Sequence, residues 1–174
     1  YVSRRACDFL GLPYDKQRVI TCHIGNGGSI TAVLDGKSVD TSMGLTPVEG
    51  LMMGTRVGDV DPGALTFIMD KEHLTTKELS DLIHKKSGVA GISGISSDMR
   101  DIDAAIEKGD ERAKLALDMY IYRIIKYVGA FAAVLNGVDV IVFTGGVGEN
   151  QQILRKRVCD HLTYMGVKID DEVN

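Results

Sequence analysis

The spacing of apolar and polar positions divides the chain into a short helix, a strand meander, a loop-rich middle and a mostly helical second half. Val2, Ala6, Phe9 and Leu10 recur near helical spacing, and Gly11-Leu12-Pro13 ends that helix. Residues 18–24 (RVITCHI) and 29–34 (SITAVL) read as strands joined by Gly25-Asn26-Gly27-Gly28. Asp35-Gly36 is a two-residue hairpin signal into a third strand, 37–41. A long loop covers 42–61. Pro62 opens a short helix at its first position, and Thr75 with Glu78 forms a capping box for a helix ending near Gly88. The small residues of 89–97 predict a loop leading to Asp98, and a helical pattern then runs over 110–136, closed by Gly137. Residues 138–144 are nearly all apolar, the pattern of a strand buried on both faces. Gly145-Gly146-Val147-Gly148 turns the chain into a last helix over 149–165, and the alternation at 167–170 begins another strand. Three meandering strands and a crossover to a buried strand predict an α/β fold, a mixed sheet covered by helices. Both ends fall inside elements, so the chain reads as a piece of a longer protein.

The 174 residues are 44% hydrophobic and 25% charged, ordinary for a globular domain, with a formal net charge of −4. No run of like charge exceeds three residues, which argues against nucleic acid as a partner. The longest uncharged stretch, 19–34, is too short and too polar for a membrane span, and no secretory signal opens the chain. Three cysteines without a C-x-x-C pair (Cys7, Cys22, Cys159) read as reduced thiols of a cytoplasmic protein. Glycine changes the picture. There are 20, where average usage of about 7% predicts about 12, and nine lie between Gly25 and Gly63. That density points to loops that approach a ligand closely.

Two glycine segments follow strands, HIGNGG at 23–28 and TGGVGEN at 144–150. Consecutive backbone N–H groups in such a turn form a nest for phosphate oxygens, and the second segment adds a helix N-terminus. Taken singly, each is equally well a plain hairpin turn or helix entry; the pair favours a nucleotide. The standard fingerprints fail: a P-loop ending at Gly36-Lys37-Ser38 requires glycine where Thr31 stands, and a dinucleotide loop starting at Gly25 requires it at Ile30. Cys22 and His23 are strand neighbours facing opposite ways, so they form no nucleophile–base dyad. The four histidines show no metal-ligand spacing. Arg56, between Gly54 and Gly58, presents a planar fork suited to phosphate or carboxylate, or else a surface ion pair with Asp59 or Asp61. Asp98-Met99-Arg100 orients a ribose or base, or Asp98 simply caps the next helix.

Taken together these segments resemble a known family. His23 to Ala32 (HIGNGGSITA) is similar to the second signature of acetate/butyrate kinases. Residues 40–62, DTSMGLTPVEGLMMGTRVGDVDP, are similar almost throughout to the acetate/propionate branch of the acetokinase family, and SSDMRDI at 96–102 and FTGGVGEN at 143–150 follow in the same order.

The resemblance implies a ribonuclease-H-like core of the actin-like ATPase superfamily, with 1–174 forming most of a C-terminal, nucleotide-binding domain. It implies direct, reversible phosphoryl transfer from ATP to acetate, giving acetyl phosphate and ADP. Arg56 would stabilise the transferring phosphoryl with His23 beside it. Ile24, Gly25, Asn26 and Gly27 would follow the nucleotide phosphates, and Asp98, Met99, Arg100, Gly146, Val147, Gly148, Glu149 and Asn150 the adenosine side. Pro47 would wall the pocket for the acetate methyl. The N-terminal domain and the groups serving Mg²⁺ would lie outside this chain, leaving about half the site here. The family's members are homodimers, which suits the uncharged stretch 127–135. Three other readings stay open: a propionate kinase, a nucleotide-binding module of the actin-like superfamily without acyl transfer, and a piece serving only folding and dimerisation.

Overall fold

The computed structural model describes residues 1–174, which form two compact units: Tyr1–Ser42 with Ile121–Asn174, and Met43–Tyr120. In the first unit, helix α1 (Val2–Leu10) stops at Gly11, whose left-handed φ of 66° lets its N–H and that of Leu12 return to the last turn. Strands β1 (Arg18–Ile24), β2 (Gly28–Leu34) and β3 (Lys37–Thr41) form the expected meander. Its β2–β3 turn has Asp35 and Gly36 at φ 49° and 79°, the left-handed pair that matches strand twist. The fourth strand, β4 (Val140–Thr144), pairs parallel with β1, so the sheet is mixed in the order β3-β2-β1-β4. At the entry to that pair Arg18 clasps Asp139: Nη2 donates to Oδ1 at 2.6 Å, and its backbone N–H donates to Oδ2 at 2.8 Å.

Strand β4 departs from expectation. Only Val140 is buried and the rest is half-buried, because β4 stands at the sheet edge. Beside it lies a cavity of about 420 Å³, lined by residues including Ile141, Phe143, Arg155, Cys159 and Met165. The single helix expected over 149–165 is broken in two. The glycine segment is itself helical, and Gln151, at ψ 86°, separates it from the next helix. The strand expected at 167–170 is absent. Asp170 Oδ1 instead accepts from the N–H groups of Glu172 and Val173, which bends the segment into a turn.

In the second unit α2 (Pro62–Lys71) starts at Pro62, with Asp61 accepting from Gly63 N–H. Helix α3 (Thr76–Lys85) carries the full Thr75–Glu78 capping box. The stretch read as a loop at 89–97 holds a short helix, α4 (Gly88–Ser93), followed by α5 (Met99–Glu107). Its small residues fit close packing: Val89 and Ser93 are buried. Helix α6 (Glu111–Val134), whose residues from Ile121 onward belong to the first unit, has the length its periodicity predicts. Residues 127–135 are not covered all round: Val128, Phe131, Ala132 and Leu135 are buried, while Ala130, Ala133 and Val134 face outward.

Candidate active site

The first unit places both glycine segments at the C-terminal ends of adjacent parallel strands. That is the end of an open α/β sheet where ligands characteristically bind. His23 pairs with Thr144 across the β1–β4 register. Alternation along β1 buries Cys22 and Ile24 completely and exposes His23, as the neighbouring positions require. Burial pushes the Cys22 thiol well above its ordinary pKa, so it is an inert apolar residue. Ile24 offers the site its backbone alone.

Gly25-Asn26-Gly27 closes the β1–β2 hairpin as a bend in which Gly25 N–H donates to Gly27 C=O at 2.9 Å. One donor of the expected nest is therefore spent internally. The outer donors are Asn26, which is exposed, and the Gly27 amide.

Gly145, at φ 81°, begins helix α7 (Gly145–Asn150); a Cβ there would stand 2.7 Å from Ile24 C=O, so only glycine lets the two segments meet. Gly146 has open space above it. With only six residues, α7 supplies much less dipole than the long helix expected here. Arg155, from α8 (Gln152–Asp160), holds its end: Nη1 donates to Gly148 C=O at 3.0 Å and to Glu149 C=O at 2.6 Å. Asn150 Nδ2 closes back on Gly146 C=O at 2.8 Å.

The second unit presents Arg56 from a loop knotted by its own backbone. Gly50 and Asp59 clamp the base: Gly50 N–H donates to Asp59 Oδ1 and Asp59 N–H to Gly50 C=O, each at 2.9 Å. Inside the clamp Met53 N–H donates to Arg56 C=O, while Ser87, Val89 and Ala90 donate to Thr55, Met53 and Gly54. Two glycines make this winding possible. A Cβ on Gly58 (φ 72°) would stand 2.5 Å from Leu51 C=O, and one on Gly88 (φ 62°) would collide with the carbonyls of Met53 and Arg56.

The guanidinium of Arg56 donates weakly to Pro47 C=O (3.4 Å) and to the Met53 sulfur (3.6 Å). No carboxylate is among those partners, so the ion pair with Asp59 or Asp61 does not form; the clamp occupies Asp59 instead. Pro47 is exposed beside that contact. The carboxylate of Glu49 lies over Gly44, occupying the space a β-carbon there would need.

Asp98 caps α5 by accepting from Arg100 N–H at 2.9 Å and binds the Arg100 guanidinium through Nε and Nη2. Those bonds hold its carboxyl at about 2. The Arg100 side chain is exposed, whereas Met99 is buried under the first turn of α5. Capping and presentation of Arg100 are thus one arrangement.

Sequence reasoning missed the clamp residue Asp59, the packing role of Gly88 and the support from Arg155. The signals were present only as an acidic residue near Arg56, a glycine after a helix and a basic residue on a helix face. No three His, Cys, Asp or Glu side chains stand together as a metal site.

A mixed sheet with glycine turns on neighbouring strand ends defines an α/β protein of the actin-like ATPase type. The chain belongs to the acetokinase family, whose model matches residues 1–174. It is 66% identical over its whole length to the acetate kinase of Parabacteroides distasonis, covering 44% of that protein. The crystal structure of Porphyromonas gingivalis acetate kinase matches 99% of the chain at 62% identity with a TM-score of 0.98, over 43% of that chain. A propionate kinase from Francisella tularensis matches 99% of the chain at 44% identity with a TM-score of 0.92, over 44% of its own length. The chain therefore spans less than half the length of the relatives it matches.

Proposed function

We propose that this chain is most of the C-terminal, nucleotide-binding domain of an acetate kinase, and that the full-length protein transfers a phosphoryl group directly and reversibly between ATP and acetate. The observation that carries the reading is Arg56, a half-buried guanidinium on a backbone-pinned loop with no carboxylate partner. Phosphoryl transfer needs positioning and charge more than covalent chemistry, and an arginine aimed at the transferred group is worth ~10³–10⁵ in rate. We assign His23 to the same group, and the turn Ile24, Gly25, Asn26 and Gly27 to the nucleotide phosphates. We assign Asp98, Met99 and Arg100, with Gly146 to Asn150, to the adenosine side. Pro47, next to Arg56, is assigned to the acetate methyl. Burial limits Ile24 and Met99 to backbone or supporting roles.

We assign the groups that would hold Mg²⁺ mainly to the rest of the full-length protein, in keeping with the lack of a cluster of His, Cys, Asp or Glu side chains here. No helix is long and apolar enough to cross a membrane, which suits the cytoplasmic location we propose. The outward Tyr122, Ala130, Ala133 and Val134 of α6 support a homodimer.

A hydroxamate assay on the full-length protein tests the reading. Acetyl phosphate forms from ATP and acetate with a higher kcat/KM than propionyl phosphate from propionate; no acyl phosphate from either acid would overturn it. The isolated 174-residue chain is expected to be inactive in the same assay, since a dry, closed site needs the missing groups.

A further inference from the structure

Two Asn-Gly pairs occur in the chain, Asn26-Gly27 and Asn136-Gly137, and the structure treats them oppositely. Asn-Gly is the dipeptide most open to attack by the backbone on the side chain, because glycine has no β-carbon to block the approach. The reaction needs an available amide nitrogen on the glycine and freedom for the asparagine carboxamide to swing over it.

At 136–137 the nitrogen is denied and the backbone is pinned, although the Asn136 side chain is itself exposed. Gly137 N–H donates to Ala132 C=O at 2.8 Å, and Asn136 is fixed at φ 55° with its N–H bonded to Ala133 C=O. Its own carbonyl accepts from Arg18 Nη1 at 2.7 Å. At 26–27 neither is denied. The segment is a bend, the Asn26 side chain is exposed and unbonded, and the only bond spanning it uses Gly25 N–H and Gly27 C=O. The Gly27 nitrogen is thus left without an acceptor.

We propose that Asn26-Gly27 is a self-modification site that deamidates in the folded protein while Asn136-Gly137 is preserved. The Gly27 nitrogen, having lost its proton to base, attacks Asn26 Cγ. A C–N bond forms, the Cγ–Nδ2 bond breaks, and ammonia departs with a proton from solvent, leaving a succinimide. Water then opens the ring at either carbonyl, giving aspartate or isoaspartate. Nothing is oxidised or reduced. The product puts a carboxylate where the proposed function puts nucleotide phosphates, so a loss of nucleotide affinity rests on that reading; the modification itself does not.

The test is to hold the full-length protein at mildly alkaline and at mildly acidic pH, then map peptides by mass and label isoaspartate enzymatically. Freeing one amide from a hydrogen bond is expected to favour residue 26 over residue 136 by about tenfold or more, with the alkaline sample ahead. Equal conversion at both pairs, or faster conversion at Asn136, would overturn the proposal. Calorimetric titration of ADP into an Asn26→Asp variant separates the two claims. Weakened binding supports the consequence for function, whereas unchanged binding alongside selective conversion leaves the modification standing and removes this turn from the nucleotide site.

Discussion

The sheet end of the first unit and the arginine loop of the second solve the same problem, holding a few groups still, by opposite means. At the sheet end the ladder does the work: His23, Thr144 and the two glycine segments are placed by strand register. Around Arg56 there is no ladder. Position comes from the Gly50–Asp59 clamp, from four further backbone bonds and from two glycines at left-handed φ. Regular pairing shares an error over many bonds, whereas a knotted loop concentrates it in a few, so single substitutions should weigh more heavily in the loop than at the sheet end.

The largest expected effect is on chemistry. In the full-length enzyme Arg56→Ala should lower kcat by ~10²–10⁴ with a smaller change in KM for ATP. Steady-state kinetics decide this, and a variant keeping more than half its kcat removes Arg56 from the reaction.

The next contrast is between two glycines. Gly88→Ala forces a β-carbon against two carbonyls at positive φ and should cost about 2–4 kcal/mol by chemical denaturation. Gly146→Ala meets open space, so it should leave the denaturation midpoint unchanged and weaken only nucleotide binding. Equal loss of stability in both variants would break the comparison.

Third, Asp59→Ala opens the clamp and should cost about 1–3 kcal/mol, lowering kcat while KM for ATP holds, because Arg56 loses its seat. Asp59→Asn keeps an accepting oxygen and should recover most of the loss. A kcat identical to wild type in Asp59→Ala would show that the clamp does not position Arg56.

The smallest effect is at Asp98. Its carboxyl is held at about 2, below the unfolded value of about 4, so its contribution is complete above that range and fades as pH falls from about 4 to about 2. Melting temperatures measured across that window should fall less steeply for Asp98→Asn than for wild type.

How much of this could be read beforehand follows the same divide. Strands β1 to β3, the Asp35-Gly36 turn, the Thr75–Glu78 box and the length of α6 are local signals, and each appears where the chain spells it. The edge position of β4 was hidden, because an apolar run looks alike whether its second face is covered or borders a cavity. So was the break at Gln151, which no glycine or proline marks. In the candidate site, Asn26, Gly27 and Arg56 stood out through glycine neighbours, but their roles came from family resemblance. The long-range partners of the loop, above all Gly88 beneath Arg56, leave no trace in local pattern.

The alternation over Cys22, His23 and Ile24 at the end of β1 also bears on which changes of chain length the family can accept. His23 is exposed and Cys22 buried, so one residue gained or lost within 18–24 would exchange the two, sinking an imidazole into the core and bringing a thiol to the surface. The β2–β3 turn at Asp35-Gly36 carries no such constraint; there an insertion lengthens a surface loop. Descendants of this sequence should therefore differ in length at the hairpin tip and hold 18–24 at a constant seven residues.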